Sequence, residues 1–182
     1  MVLLALLCNT TAVAQIERTS YTGNNRVVVA LEGPFSRYEF TSQQMLVRYN
    51  KEAQVLECIL PVETLIPLND TIPADMAFDV LFGAKYPQLY IDIAAPVQKI
   101  SAGNLTPETI RRTATIGLQG VRNNTVLPVA FTSENNSLYF SASFDLMLDN
   151  FNASLPIVYA PYLTGRILIT LDRARWINMQ AR

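Results

Sequence analysis

Histidine is absent from all 182 residues. That removes the commonest general base, the Ser-His and Cys-His pairs, and the commonest metal ligand. Cysteine is scarce as well: Cys8 and Cys58 are the two present, too few for a cysteine-rich zinc site. Only 16% of residues are charged, against roughly 25% in an average soluble protein. The formal net charge is −1 and no Lys/Arg cluster is interleaved with aromatics, which argues against nucleic acid as a partner. There is no P-loop and no G-x-G-x-x-G; "GLQG" at 117–120 reads as a strand end with turn glycines. Past the N-terminus, no apolar run approaches the ~20 residues that span a bilayer, so the chain is read as not membrane-spanning.

What is present is apolar residue, half of the chain. The length suits one domain with a substantial core. The start, "MVLLALLCNTTAVAQ", has an apolar run followed by Ala12-Val13-Ala14, the shape of a secretory signal with a small-residue cleavage site. A first buried strand is the alternative reading. Cleavage after Ala14 leaves residues 15–182 as a single exported domain, periplasmic or secreted. Cys58, in "VLECILPV", is then a lone thiol among buried neighbours and reads as an inert core residue.

Strand signals dominate the rest. Apolar or β-branched runs lie at 26–33, 43–50, 53–62, 88–95, 110–120, 126–133, 137–148 and 165–173. The period of two is cleanest at 137–148, where Leu138, Phe140, Ala142, Phe144, Leu146 and Leu148 share a face. At 88–95, Leu89, Ile91 and Ile93 share one, and Pro87 belongs at that strand's beginning because it cannot donate to a ladder. Short polar turns, among them Asn123-Asn124 and 134–136, join the runs. Two segments break the rhythm. "ADMAFDVLF" (74–82) has near-helical spacing and predicts a short helix, with Pro73 before it and Gly83 after it. "NLTPETIRR" (104–112) reads either as a capped helical turn or as a loop. The fold expected is all-β: an antiparallel barrel of about eight strands with one or two short helices.

Chemistry-bearing groups are scattered. Asp70, Asp75 and Asp79 could in principle hold a hard cation but fit turn, cap and surface roles better. Asp145 and Asp149, four apart in a strand, would share the outward face. No catalytic residue, no metal site and no cofactor is expected. The aromatics remain: Phe78, Phe82 and Tyr86 ahead of the strand at 88, and Phe131, Tyr139, Phe140, Phe144 and Phe151 later. Small barrels either fill with such side chains or leave room for one small ligand, and periodicity does not separate the two cases.

Four pieces in order carry a family resemblance: "AFDVLFGAKYPQLYIDI" (77–93), "TATIGLQGVRNNTVLPVAF" (113–131), "LYFSASFDLMLDNFNAS" (138–154) and "LTGRILITLDR" (163–173). With them the chain resembles the YceI-like family, exported lipocalin-like barrels associated with polyisoprenoid or other lipid binding. The family's Arg-Asp-x-His-Leu-like element is replaced here by "TIPADMAF" (71–78), so no head-group contact carries over from it.

The resemblance implies an exported, non-enzymatic protein that holds an apolar lipid or isoprenoid ligand inside the barrel. Parity and resemblance together nominate Phe78, Phe82, Tyr86, Ile91, Ile116, Leu118, Phe131, Phe140 and Phe144 as the lining. Tyr86 fits a mouth-side ligand contact and a simple lid over the core equally well. The rival is a solid-cored interaction module that binds a protein partner through loops or its outer face. Open strand edges would permit a homodimer by edge pairing.

Overall fold

A computed structural model describes residues 20–95, 108–134 and 137–176. The expected leader at 1–14, Cys8, the Thr106-Pro107 step and Asn135-Asn136 lie outside the described residues.

The strands are β1 (Thr22–Glu32), β2 (Arg37–Asn50), β3 (Val55–Pro61), β4 (Ile66–Pro67), β5 (Gln88–Ala94), β6 (Glu108–Leu118), β7 (Val121–Glu134), β8 (Ser137–Met147) and β9 (Arg166–Trp176). Every pairing is antiparallel, and neighbours run β1-β9-β8-β7-β6-β5-β3-β2. β1 then pairs with β2, which closes an eight-stranded barrel; two-residue β4 pairs with Phe40 and Thr41 on the edge of β2 that β3 takes further along. Closure satisfies both edges of the sheet, as an apolar two-faced ribbon requires.

The alternating sequence does the sorting. In β3, Leu56, Cys58 and Leu60 are buried while Val55, Glu57, Ile59 and Pro61 are half-buried. In β5, Leu89, Ile91 and Ile93 point into the core, and Pro87 sits just before the strand with its carbonyl accepting from Val62 N–H at 2.9 Å. β2 keeps Phe40 and Ser42 inside, then slips its phase so that Met45, Val47 and Tyr49 continue on the same side; Gln44 N–H donates to Ser42 Oγ at 3.0 Å across the irregularity.

One end of the barrel is capped. The short helix α1 (Met76–Val80) sits where the sequence predicts it and buries Met76, Ala77 and Val80 in the barrel core. The β6–β7 turn, the β1–β2 turn and the 148–165 segment gather at the same end. Three expectations are corrected here. The β6–β7 turn is Gln119-Gly120, both at positive φ (50° and 81°), while Asn123 and Asn124 lie within β7. The two-residue hairpin needs left-handed backbone, which Gly120 supplies without steric cost, so it wins over the Asn pair. Asp149 is in a 3-10 turn (Leu148–Phe151) and not on a strand with Asp145. From Glu108 onward the 104–112 stretch is strand, not helical turn.

Candidate functional site: a window between two strands

β7 pairs with β6 from Val121↔Leu118 to Phe131↔Glu108. Its pairing with β8 runs only from Glu134↔Ser137 to Val129↔Ala142. β8 meanwhile stays on β9 as far as Met147↔Arg166. Residues 121–128 and 143–147 are therefore not paired with each other across this seam. Pro128 stands where the ladder stops, and a proline has no N–H to carry a ladder further. At the capped end the gap is tied shut again: Asn123 Nδ2 donates to the Asn150 carbonyl at 2.6 Å. The result is a window with a frame on both sides.

The window opens on a cavity of about 400 Å³ lined by Ile116, Asn123, Asn124, Thr125, Phe144, Asp145, Leu146, Asn150 and Phe151. Its inner wall is apolar and its rim polar, the make-up of a small-ligand site; the volume falls within the roughly 300–1,000 Å³ usual for one. Phe151 also walls a second hollow of about 570 Å³ at the capped end, which includes Val80, Phe82, Tyr86, Gln119, Val121 and Leu155. That hollow is held in shape by Gln119 Nε2 donating to the Val80 carbonyl (3.2 Å) and by the Tyr159 hydroxyl donating to Asp79 (3.2 Å). Burial, then Asp79, pushes the Tyr159 hydroxyl above its ordinary range.

The nine nominated residues separate by depth. Ile91, Ile116, Leu118, Phe131 and Phe140 are buried core, with the Phe131 and Phe140 rings 6.4 Å apart. Ile116 and Phe144 meet at the window. Phe78 is half-buried against the core, its ring beside Gly83. Phe82 is 46% exposed and Tyr86 half-buried; they stack edge-on at 5.9 Å on the wall of the capped-end hollow. Tyr86 also lies over the β6–β7 turn, where a Cβ on Gly120 would come within 3.1 Å of its ring. The nine residues thus span an inner shell and an outer groove, not one continuous surface.

Sequence reading passed over Pro128 and Arg112, took Asn123 for a turn residue, and named Phe151 among the aromatics without placing it in the lining. Arg112 is in phase with Ala114, Ile116 and Leu118, and parity alone would have turned it inward. It is 8% exposed, with its guanidinium carbon 5.8 Å from the Phe131 ring centre.

Charged groups otherwise occupy the outer wall. Glu57 accepts from Arg48 and from Asn50, and Asp92 pairs with Arg122 at 3.1 Å. Burial works to raise Glu57, but Arg48, Asn50 and Tyr21 outweigh it and hold its carboxyl below the usual range. Burial lifts Asp92 above that range despite Arg122. Asp70, Asp75 and Asp79 are exposed, and no group of three or more His, Cys, Asp or Glu is placed to hold a metal among the described residues. Among those residues, no helix is long and apolar enough to cross a membrane.

No family model matches the chain, and no curated protein matches it. Solved structures do. A polyisoprenoid binding domain from Saccharophagus degradans, implicated in plant cell wall breakdown, superposes with TM-score 0.68 at 10% identity, covering 83% of this chain and 93% of its own. BcnA of Burkholderia cenocepacia gives TM-score 0.60 at 16% identity, covering 80% of this chain and 92% of its own. A Campylobacter jejuni YCEI protein covers 94% and 95% at 15% identity, with TM-score 0.48. At these identities the likeness is one of fold. The chain shares its barrel fold with the polyisoprenoid binding domain and with BcnA.

Proposed function

We propose that this is a non-enzymatic binding protein that carries or sequesters an apolar chain, a polyisoprenoid or another lipid, after export to the periplasm or beyond. The observation behind this reading is the interrupted β7–β8 ladder, which brings Ile116, Phe144, Leu146 and Phe151 to an opening in the barrel wall. The fold shared with a domain described as polyisoprenoid binding supports it. Affinity would come from apolar area withdrawn from water, about 25 cal/mol per Å² before ordering costs. Of the nine nominated residues, Ile116 and Phe144 would meet the chain first, with Phe140, Phe131, Leu118 and Ile91 behind them. Phe78, Phe82 and Tyr86 would border its exit at the capped end.

A solid-cored interaction module is the second reading, and two observations favour it. Phe40, Met45, Leu127 and Phe140 are already fully enclosed, and Phe35, Ile157, Val158 and Tyr162 stand exposed on loops, with Ile66 exposed on β4. Solvent extraction of the purified protein, followed by lipid mass spectrometry and uptake of a fluorescent lipid, decides between them. A co-purifying isoprenoid or acyl chain is the expected outcome. Blank extracts together with no uptake would leave the module. A homodimer by edge pairing would use β7 residues 121–128, the stretch without a β8 partner, and sedimentation tests for it.

A further inference from the structure

We propose that Arg112 anchors an acidic head group, so that the ligand is an apolar chain ending in a carboxylate or a phosphate monoester. This deepens the carrier reading and rests on it.

Arg112 projects from the inner face of β6, opposite Leu127 on β7. Its side chain is 8% exposed, yet Nε and Nη2 have no hydrogen-bond partner among the described residues. A guanidinium stays charged at any pH a protein meets, so burial cannot neutralise it. An ion held in an apolar interior without a counter-ion costs several kcal/mol, and an unmade charged hydrogen bond adds to that. The Phe131 ring at 5.8 Å offers a cation–π contact, which is smaller. Among the described residues, several carboxylates are engaged with arginines on the outer wall: Glu57 with Arg48, Asp92 with Arg122, Asp145 and Glu32 with Arg166, Glu134 with Arg173. Among the described residues, nothing accepts from Nε or Nη2 of Arg112. A planar carboxylate or a phosphate fits the guanidinium fork with two parallel hydrogen bonds.

The surroundings suit a chain attached to that anion. Along β6 the inward position after Arg112 is Ala114, and Ile116 at the window comes next. Four strand residues span about 13 Å. Across the window's inner edge β8 presents Ala142 between Phe140 and Phe144. Small side chains therefore lie between the cation and the window. A head on Arg112 with its tail running past Ala114 towards Ile116 and Phe144 would satisfy the stranded donors and the apolar wall together.

The test is binding of palmitate, hexadecyl phosphate and hexadecanol to the full chain, for the wild type, Arg112→Lys and Arg112→Leu. The wild type should prefer at least one of the two acids over the alcohol by about tenfold or more. Arg112→Leu should erase that preference by weakening the acid, leaving hexadecanol within about twofold, and Arg112→Lys should keep part of it. Palmitate against hexadecyl phosphate tells which acid is meant. Equal affinity for all three ligands in the wild type, or a uniform loss in Arg112→Leu, overturns the anchor while the carrier stands. Binding of none of the three overturns both. Should Arg112→Leu fail to fold, carboxyl-¹³C palmitate on the wild type still decides. A carboxylate beside Arg112 stays ionised well below the ordinary carboxylate range, whereas an unshifted titration rejects the anchor.

Discussion

Cys58 shows how burial governs a single side chain. It is wholly enclosed in β3, and burial, reinforced by Asp92 and Glu57, pushes its thiol far above the usual range. Thiolate is the reactive form, so the residue should be inert in the folded state. In a Cys8→Ser background, a thiol reagent should find no reactive group in native protein and one after denaturation. Glu57 works in the opposite sense. Its folded pKa lies below its unfolded one, so its contribution is complete above the ordinary carboxylate range and fades as pH falls through the lowered folded value. Glu57→Gln should therefore cost about 1 kcal/mol or less at neutral pH, with the gap to wild type closing in acid, as read by denaturant melts across pH. Asp92, raised, subtracts stability once it ionises and blunts the profile. Cys58 was legible because its neighbours are apolar at alternate positions. Arg112 was not, because a charged residue in an inward register is read as surface unless parity is allowed to overrule residue type.

At the scale of elements, period-two patterning located the strands because each has one face in the core. Turn chemistry found the strand end and turn glycine at 117–120 but added a turn at Asn123-Asn124, which lies within β7. Patterning had no means of finding the window, since side-chain alternation reports which way a residue points and not whether the next strand is bonded to it. Pro128 was the available clue. If the seam is open, alternate amides between Val121 and Leu127 face no acceptor on β8, while those between them bond to β6. Hydrogen exchange followed by NMR should show fast and slow amides alternating there. Uniform protection would mean that the seam is shut in solution.

For the molecule as a whole, closure through β1 and β2 makes every strand depend on the shared interior. Phe140, 2% exposed at the centre of β8, should cost about 3–5 kcal/mol as Phe140→Ala. Phe35 and Ile157, at 101% and 93% exposure, should each change stability by less than about 0.5 kcal/mol as Phe35→Ser and Ile157→Ser. Urea melts would check all three. The fold was legible down to strand count and helix position. What lies between the inward side chains was not, because a hollow and a packed core have the same alternation and differ only in how far opposite walls stand apart.

A wall stitched along only part of one seam is also unevenly compressible. Hydrostatic pressure favours whichever arrangement eliminates void volume, and here the void adjoins β7 and β8 while β1 and β9 are bonded from Arg26 to Leu31. Water driven in under pressure should reach Ile116 and Phe144 well before the barrel loses its closure. Methyl and ring resonances on that side would drift at pressures that leave Val29 and Ile169 unmoved.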